Sequence, residues 1–362
     1  MKRTLLFSAA LAALALAASS CAKTKTPGPD GPSGSNPVVH TVGYYYDYDD
    51  TYRYGCRWAD GVRTDLPLPA GVSSCYTEGI AVSGGKVYVS GDYWTGSMNI
   101  ICYWTDNART DLEGPDDDMV NNSAYGIAVS GGDVYTLANY DNVCGYLFKN
   151  TARTELSHPV GATYYSGSEI AVSDGKVYVA GIYSVPGLSY NACVWTDNVI
   201  TDLSVPEEAS GSGIFSIAVE GGKVYCTGYY NDTDNDQHMC YWADGVLHEL
   251  SAPSGSNAYG QSIAVADGTI YIAGRVYGPD FVNYACLSTD NVPAALDLPD
   301  GATWSEARYV TVHDGKVCVA GDYIKDDKCY TCYWIDGVRG GDAPLTVPDD
   351  VHFNISGMTL AW

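Results

Sequence analysis

Basic residues are scarce. Lys and Arg together number 19 against 43 Asp and Glu, only nine of them are Arg, and the formal net charge is −24. Binding to nucleic acid draws on Lys and Arg set against phosphates, so this composition excludes a nucleic-acid partner. The same deficit excludes docking on anionic lipid headgroups. Enzyme signatures are missing as well: there is no G-x-S-x-G, no H-E-x-x-H, no phosphate loop and no G-x-G-x-x-G. The six histidines, at 40, 158, 238, 248, 313 and 352, share no spacing suited to a metal site. Neither a cofactor nor a metal is expected. Asp232, Asp234 and Asp236 alternate in NDTDND in the manner of a calcium loop, but the following Gly and the distal Glu are absent. Calcium there stays an open reading beside a plain acidic loop.

What is plentiful is Gly, with 40, and Tyr, with 31. They sit in a repeat. The stretch from Ile80 to Leu112 reads as four short strands with tight turns, and its first strand returns at Ile127, Ile170, Ile217, Ile263 and Val310, in steps of 47, 43, 47, 46 and 47 residues. A fixed period in the forties with four strands per unit predicts an all-β fold, a β-propeller of four-stranded antiparallel blades. We name the strands of each unit A to D. Strand A is IAV or a relative, the A–B turn is SGGK or similar, strand B is VYVSG, strand C is CYW, and the C–D turn carries Asp or Asn before strand D, TDL. The ends share one unit: 39–66 supplies strands B, C and D, and Gly357-Met358-Thr359-Leu360 aligns with Gly79-Ile80-Ala81-Val82 as its strand A. Six complete units and one shared unit predict seven blades in a ring closed by the C-terminal strand, with six as the alternative if the shared blade does not form.

Residues 1–20 read as a signal peptide, with Lys2 and Arg3 ahead of an apolar stretch too short to span a bilayer. That stretch ends in Ala18-Ser19-Ser20-Cys21, small residues directly before a Cys, which is the setting of a lipidated N-terminus; an ordinary signal peptide cleaved nearby is the other reading. Residues 21–37 carry Pro, Gly, Ser and Lys with little to bury, and form a linker. Residues 38–362 are the propeller domain. With this leader, linker and blade repeat, the chain resembles seven-bladed propeller lipoproteins of Bacteroidetes-type bacteria. The resemblance implies a lipid-anchored protein of the cell envelope, at the outer membrane. The run after Cys21, AKTKT, lacks the acids that mark surface export in related lipoproteins, which favours the periplasmic face. Membrane contact is expected through the acyl chains alone, and a monomer is expected.

Recurring residues serve what every blade shares. Trp at 58, 104, 195, 242 and 334 on strand C, and Tyr at 45, 93, 140, 183, 230 and 323 closing strand B, read as blade-to-blade packing rather than ladders for sugar. Cys56, Cys102, Cys193, Cys240, Cys286 and Cys332 hold one strand-C position and read as small buried apolar residues. Cys329 and Cys332 form a C-x-x-C beside a strand, without the βαβ context of a redox motif, and a local disulfide is open to them.

Function is sought where neighbours differ. The B–C and D–A connections are long, unlike one another and on one face, and loops on a rigid scaffold are where sites concentrate. Two register positions vary. Just before strand A, at the predicted mouth of a central channel, stand Glu78, Tyr125, Ser168, Phe215, Gln261, Arg308 and Ser356. Just before the recurring Tyr of strand B stand Tyr44, Asp92, Asn139, Ile182, Tyr229, Arg275 and Asp322. Both rings are expected to face the funnel or its rim. Arg275 and Arg308 either receive an anion or neutralise Glu78, Asp322 or other nearby acids. The leading expectation is a non-catalytic binding module whose top face engages a glycan or an envelope protein. The alternatives are a structural subunit of an envelope complex, and a carbohydrate-active enzyme using Glu78, Asp92 and Asp322.

Overall fold

The structure, a computed structural model, describes residues 37–361 except 48–51, 73, 116–118, 142, 188, 253–255, 278–282, 327 and 345–350, and leaves out the side chains of 341–344 and 351–353. The segment read as a signal peptide, Cys21 and nearly all of the segment read as a linker lie outside the described residues. Every element among the described residues is a β-strand.

Each repeat is an antiparallel meander. In the unit containing Cys75–Ser83, Lys86–Trp94, Asn99–Thr105 and Ala108–Asp111, consecutive strands pair in order. Its A–B turn is Gly84-Gly85, both at positive φ, +57° and +74°, which is the backbone a two-residue hairpin requires. The recurring Asp of the C–D turn has two uses. Asp106 takes a left-handed φ of 55°, and its Oδ1 accepts the backbone N–H of Val87 at 3.1 Å. The same staple recurs from Asp60 to Val39, Asn150 to Val134, Asp197 to Val177, Asp290 to Ile270 and Asp336 to Val317, at 2.9–3.0 Å. The third unit's Asn therefore does the work of the Asp it replaces.

Five sheets have four strands. A further sheet has eight, being two such meanders joined by one parallel bridge between Cys144 and Tyr165. The sheet holding the first strand runs Val351–Ala361, Val38–Asp47, Arg53–Ala59, Val62–Asp65. The C-terminal strand thus pairs with the N-terminal one, Met358 opposite Thr41, as the alignment of Met358 with Ile80 predicts.

The strand-C tryptophans pack between sheets. Trp58, Trp104, Trp195, Trp242 and Trp334 are wholly buried. Trp104 clusters with Val87 and Val89 of its own sheet and with Val42 and Leu66 of the preceding one. Its indole N–H donates to the carbonyl oxygen of Pro67, just past strand D of that sheet, at 3.0 Å. Trp195, Trp242 and Trp334 donate likewise to Ser157, Ser204 and Asp297 at 2.5, 2.6 and 2.7 Å. A large apolar body and one satisfied donor explain why Trp recurs where another apolar residue would fill the space. The cysteines of the repeated strand-C position, Cys332 included, are buried, Cys329 is half-buried, and none of them is in a disulfide. Burial raises the Cys286 and Cys329 thiols to about 12, so they stay neutral and inert.

One irregularity positions the site. The pairing of strands A and B slips by a β-bulge between Thr77 and Ile80, Ala124 and Ile127, Gly167 and Glu169, Ile214 and Ser216, Gly260 and Ser262, and Ala307 and Tyr309. The first sheet slips where Ser356 is skipped. Opposite the bulge, strand B carries the Gly of VYVSG. A Cβ at Gly91 would strike the Tyr76 carbonyl oxygen, and one at Gly228 that of Gly213. The glycine recurs because the bulged strand closes over it.

Candidate functional site

The skipped residues are the first variable ring. A β-bulge inserts an unpaired residue and re-aims its side chain. Here all of the re-aimed residues, Glu78, Tyr125, Ser168, Phe215, Gln261, Arg308 and Ser356, line one cavity of about 300 Å³. Phe215 is 37% exposed within it. A second cavity of about 400 Å³ continues below, lined by the strand-A residues themselves. The two share a waist at Ile80, Ile127, Glu169, Ile170, Ser216, Ser262 and Tyr309.

None of the second ring lines the mouth cavity itself. Asp92, Asn139 and Asp322 are buried behind it. Asn139 donates to Ser166 Oγ at 2.5 Å and to the Gly167 carbonyl at 3.2 Å, tying one meander to the next. Ile182 packs against an apolar cluster containing Trp242 and Tyr230. Tyr44 accepts a hydrogen bond from Asn354 Nδ2 at 3.3 Å. Tyr229 leans on Phe215, with ring centroids 5.6 Å apart, and lines a separate groove. A strand-B residue lies one strand outward from the channel, so only a long side chain reaches back.

Arg275 of that ring and Arg308 of the mouth meet at one acid, and their partners are protein carboxylates. Arg275 Nη1 lies 2.5 Å from Glu306 Oε1, Arg308 Nη2 lies 3.1 Å from Glu306 Oε2, and Arg308 Nε pairs with Asp322 Oδ1. Gln261 Nε2 adds a bond to Glu306 Oε1 at 3.1 Å, and the Arg275 guanidinium sits 5.0 Å over the Tyr259 ring. Of the two readings of these arginines, neutralisation of acids is the one the geometry supports. Burial pushes the Asp322 carboxyl up, while Arg308 pulls it the other way. Arg308 is therefore part of the scaffold of the mouth as well as its lining.

Glu78 and Asp92 have no such partner: no Lys, Arg or His forms an ion pair with either among the described residues. Burial raises Glu78 to about 7. Burial first and the Glu78 charge second raise Asp92 to about 8, against a hydrogen bond from the Ala124 backbone. Asn99 Nδ2 donates to Asp92 Oδ2 at 3.0 Å. At the waist, Glu169 is raised to about 7 by burial, although Ser216 and the Ile217 N–H, at 3.1 Å from Oε2, favour its charge. Carboxyls held near neutrality can donate a hydrogen bond as well as accept one.

Sequence reasoning missed Glu306, Glu169 and Tyr309. Glu306 stands opposite Asp322, where other units place Tyr76, Gly213 or Tyr259. The signal was available by counting two residues upstream of Arg308, in a segment read as loop. Glu169 and Tyr309 follow the bulge, where other units have Gly79, Gly126, Ser216, Ser262 and Gly357. Large residues in a row of small ones are visible in the alignment of units. As for NDTDND, Asp232 Oδ1 accepts the backbone N–H groups of Asp234 and Asp236 at 2.9 Å each, and Oδ2 meets His238 Nε2 at 3.0 Å. That acid caps its own turn, and no group of metal-ligating residues occurs among the described residues.

No family model matches the chain, and no curated protein does. Among solved structures, the chain is similar to a puromycin-hydrolysing peptidase of Mycobacterium tuberculosis, with 12% identity, a TM-score of 0.54 and 87% of this chain covered. It spans 54% of that peptidase's length. It is also similar to the β-propeller domain of the Trilobed protease from Pyrococcus furiosus, described as having an open velcro topology, with 9% identity, a TM-score of 0.51, and coverage of 87% of this chain and 96% of that one. At such identities the likeness bears on fold: a β-propeller built of four-stranded antiparallel blades.

Proposed function

We propose that this chain is a closed seven-bladed propeller, held at the cell envelope through an acylated Cys21 and the linker 21–37, whose funnel mouth binds a glycan or an envelope protein without catalysing its conversion. Closure is supported by the strand Val351–Ala361, which pairs with Val38–Asp47 and packs against both Cys75–Ser83 and Trp304–His313. The anchor is supported by the leader and by Cys21 directly after it. The observation that carries the binding reading is the convergence of the bulge residues on one cavity. Each meander contributes one side chain, and these differ in size, charge and aromaticity while the frame behind them repeats. A rigid frame with unlike side chains at one mouth suits recognition.

Two changes check the scaffold. Cys21→Ala abolishes partition into the detergent phase, and removal of residues 357–362 lowers the unfolding temperature of the whole domain; unchanged behaviour in either variant removes that part of the proposal. The site itself is tested by screening a glycan array and detergent-solubilised envelope proteins, then measuring affinity by calorimetry. Tyr125→Ala and Phe215→Ala are expected to weaken binding about tenfold or more with thermal unfolding unchanged. Unaltered affinity in both would move the site off the funnel. Cleavage products from the same glycans, lost with Asp92→Asn, would make the site catalytic instead.

A further inference from the structure

Tyr229 links the mouth to a groove on its rim. This groove, of about 390 Å³, lies between the strands of 164–202 and those of 211–249. Its lining side chains include Tyr190, Tyr229, Ser189, Ser210, Asn231 and Asn235, and none of its lining residues is charged. That is notable in a chain of net charge −24, whose loop 231–237 also carries three aspartates. The side-chain polar atoms of those six residues make no hydrogen bond to protein among the described residues. Tyr190 is 49% exposed and meets Tyr164 edge-on at 5.1 Å. Two aromatic pairs, Phe215 with Tyr229 and Tyr190 with Tyr164, thus meet at the groove, which Tyr229 and Tyr190 both line beside hydroxyls and amides.

The groove is held by backbone. Ser212 N–H donates to the Tyr190 carbonyl at 2.8 Å, and Ser210 N–H to the Asn231 carbonyl at 2.8 Å, so both walls are pinned. Ser212 Oγ accepts the Ala192 N–H at 2.8 Å from beneath. Gly213 stands opposite Tyr229 across the strands, and a Cβ there would fall 2.5 Å from the ring. The Tyr229 ring therefore rests directly on Gly213. Binding on such a surface orders few protein groups.

We propose that this groove binds a neutral oligosaccharide, which lies along the path from Phe215 over Tyr229 to Tyr190. Sugar rings offer C–H faces to aromatic rings and hydroxyls to Asn and Ser, the two kinds of group found here. A charged glycan would lose hydration without gaining a counter-charge, beside acids of its own sign. The inference rests on the funnel reading and narrows its ligand class.

The test is calorimetry of the full chain in detergent with soluble cello-, xylo-, manno- and malto-oligosaccharides, and oligogalacturonate as the charged comparison. One neutral series should bind, with affinity rising with chain length, and oligogalacturonate should not. Tyr190→Ala and Tyr229→Ala should each lower affinity about three- to tenfold, as loss of one aromatic contact; the exposed Tyr190 leaves the fold unaffected if Tyr229→Ala does not. No binding by any neutral series, preference for oligogalacturonate, or full affinity in both tyrosine variants overturns the proposal. If those variants bind fully while Tyr125→Ala weakens binding, the groove fails and the funnel reading stands. If Tyr125→Ala is harmless while Phe215→Ala and Tyr190→Ala weaken binding, the groove stands and the ligand does not extend across the mouth; a harmless Phe215→Ala overturns the path.

Discussion

Glu306 and Asp92 are both almost fully buried, at 2% exposure each, both close to the mouth of one cavity, and the protein handles them in opposite ways. Glu306 is clamped by Arg275 and Arg308, with Asp322 closing the group, so two positive and two negative charges share a small volume. Among the described residues no cation pairs with Asp92 or its neighbour Glu78, and burial lifts them to about 8 and about 7. One side sets its acids against cations; the other holds its acids near neutrality by burial. In a chain with nine arginines the difference shows where positive charge was spent. Protonation makes the Glu78–Asp92 side of the mouth responsive to pH near neutrality.

The sharpest way to break this contrast is Glu306→Ala. It takes Glu306 from Arg275 and leaves Arg308 paired with Asp322 alone. Breaking a buried pair costs ~3–5 kcal/mol, and with both guanidinium groups about a third exposed, a loss of about 2–3 kcal/mol is expected. The denaturant midpoint measures it, and a shift within the error of wild type would mean the cluster contributes nothing to the fold.

The other wall predicts a smaller effect, of a different kind. Asp92 and Glu78 titrate near 8 and 7 in the folded protein, and near 4 when unfolded. The folded state therefore holds more protons across that interval. Stability is fully present below pH ~4 as far as these groups are concerned, and is lost as pH rises through about 7 and 8. Asp92→Asn removes one titrating group and keeps an acceptor for Asn99. It should be close to wild type in stability at pH ~5, more stable at pH ~9, and shallower in its loss between them, by an amount on the order of 1–3 kcal/mol. Thermal unfolding from pH ~5 to pH ~9 shows this, and parallel curves for the two proteins would refute it.

The two walls also differ in how far the sequence revealed them. Strands, turns and the pairing of Met358 with the N-terminal strand were readable, because alternation, Gly-Gly turns and a fixed period are local signals repeated many times. Glu78 and Arg308 were found for the same reason: they vary at a position counted from a repeated landmark. That the landmark was a β-bulge was not readable, since a bulge is a relation between two strands. Glu306 was missed because it falls where strand A was read as loop, and whether Tyr229 faces the funnel or its rim was not readable because that depends on which strand is innermost. The roles of Arg275 and Arg308 stayed open until distances fixed them, since sequence gives a charge but not its partner.

The bulge also bears on how such a chain can change. Its residue is left out of the strand ladder, so strand pairing does not constrain its side chain. A substitution there alters the cavity while the register, the glycine opposite and the indole between sheets stay as they were. When a unit of this kind is copied, the copy brings one more open slot at the mouth, already aimed at the axis. Arg308 and Gln261, bound into the acid cluster, are slots that have lost this freedom; the positions of Phe215 and Ser168 keep it. New specificity can then accumulate one residue at a time, in a part of the molecule where a failed trial costs the fold little.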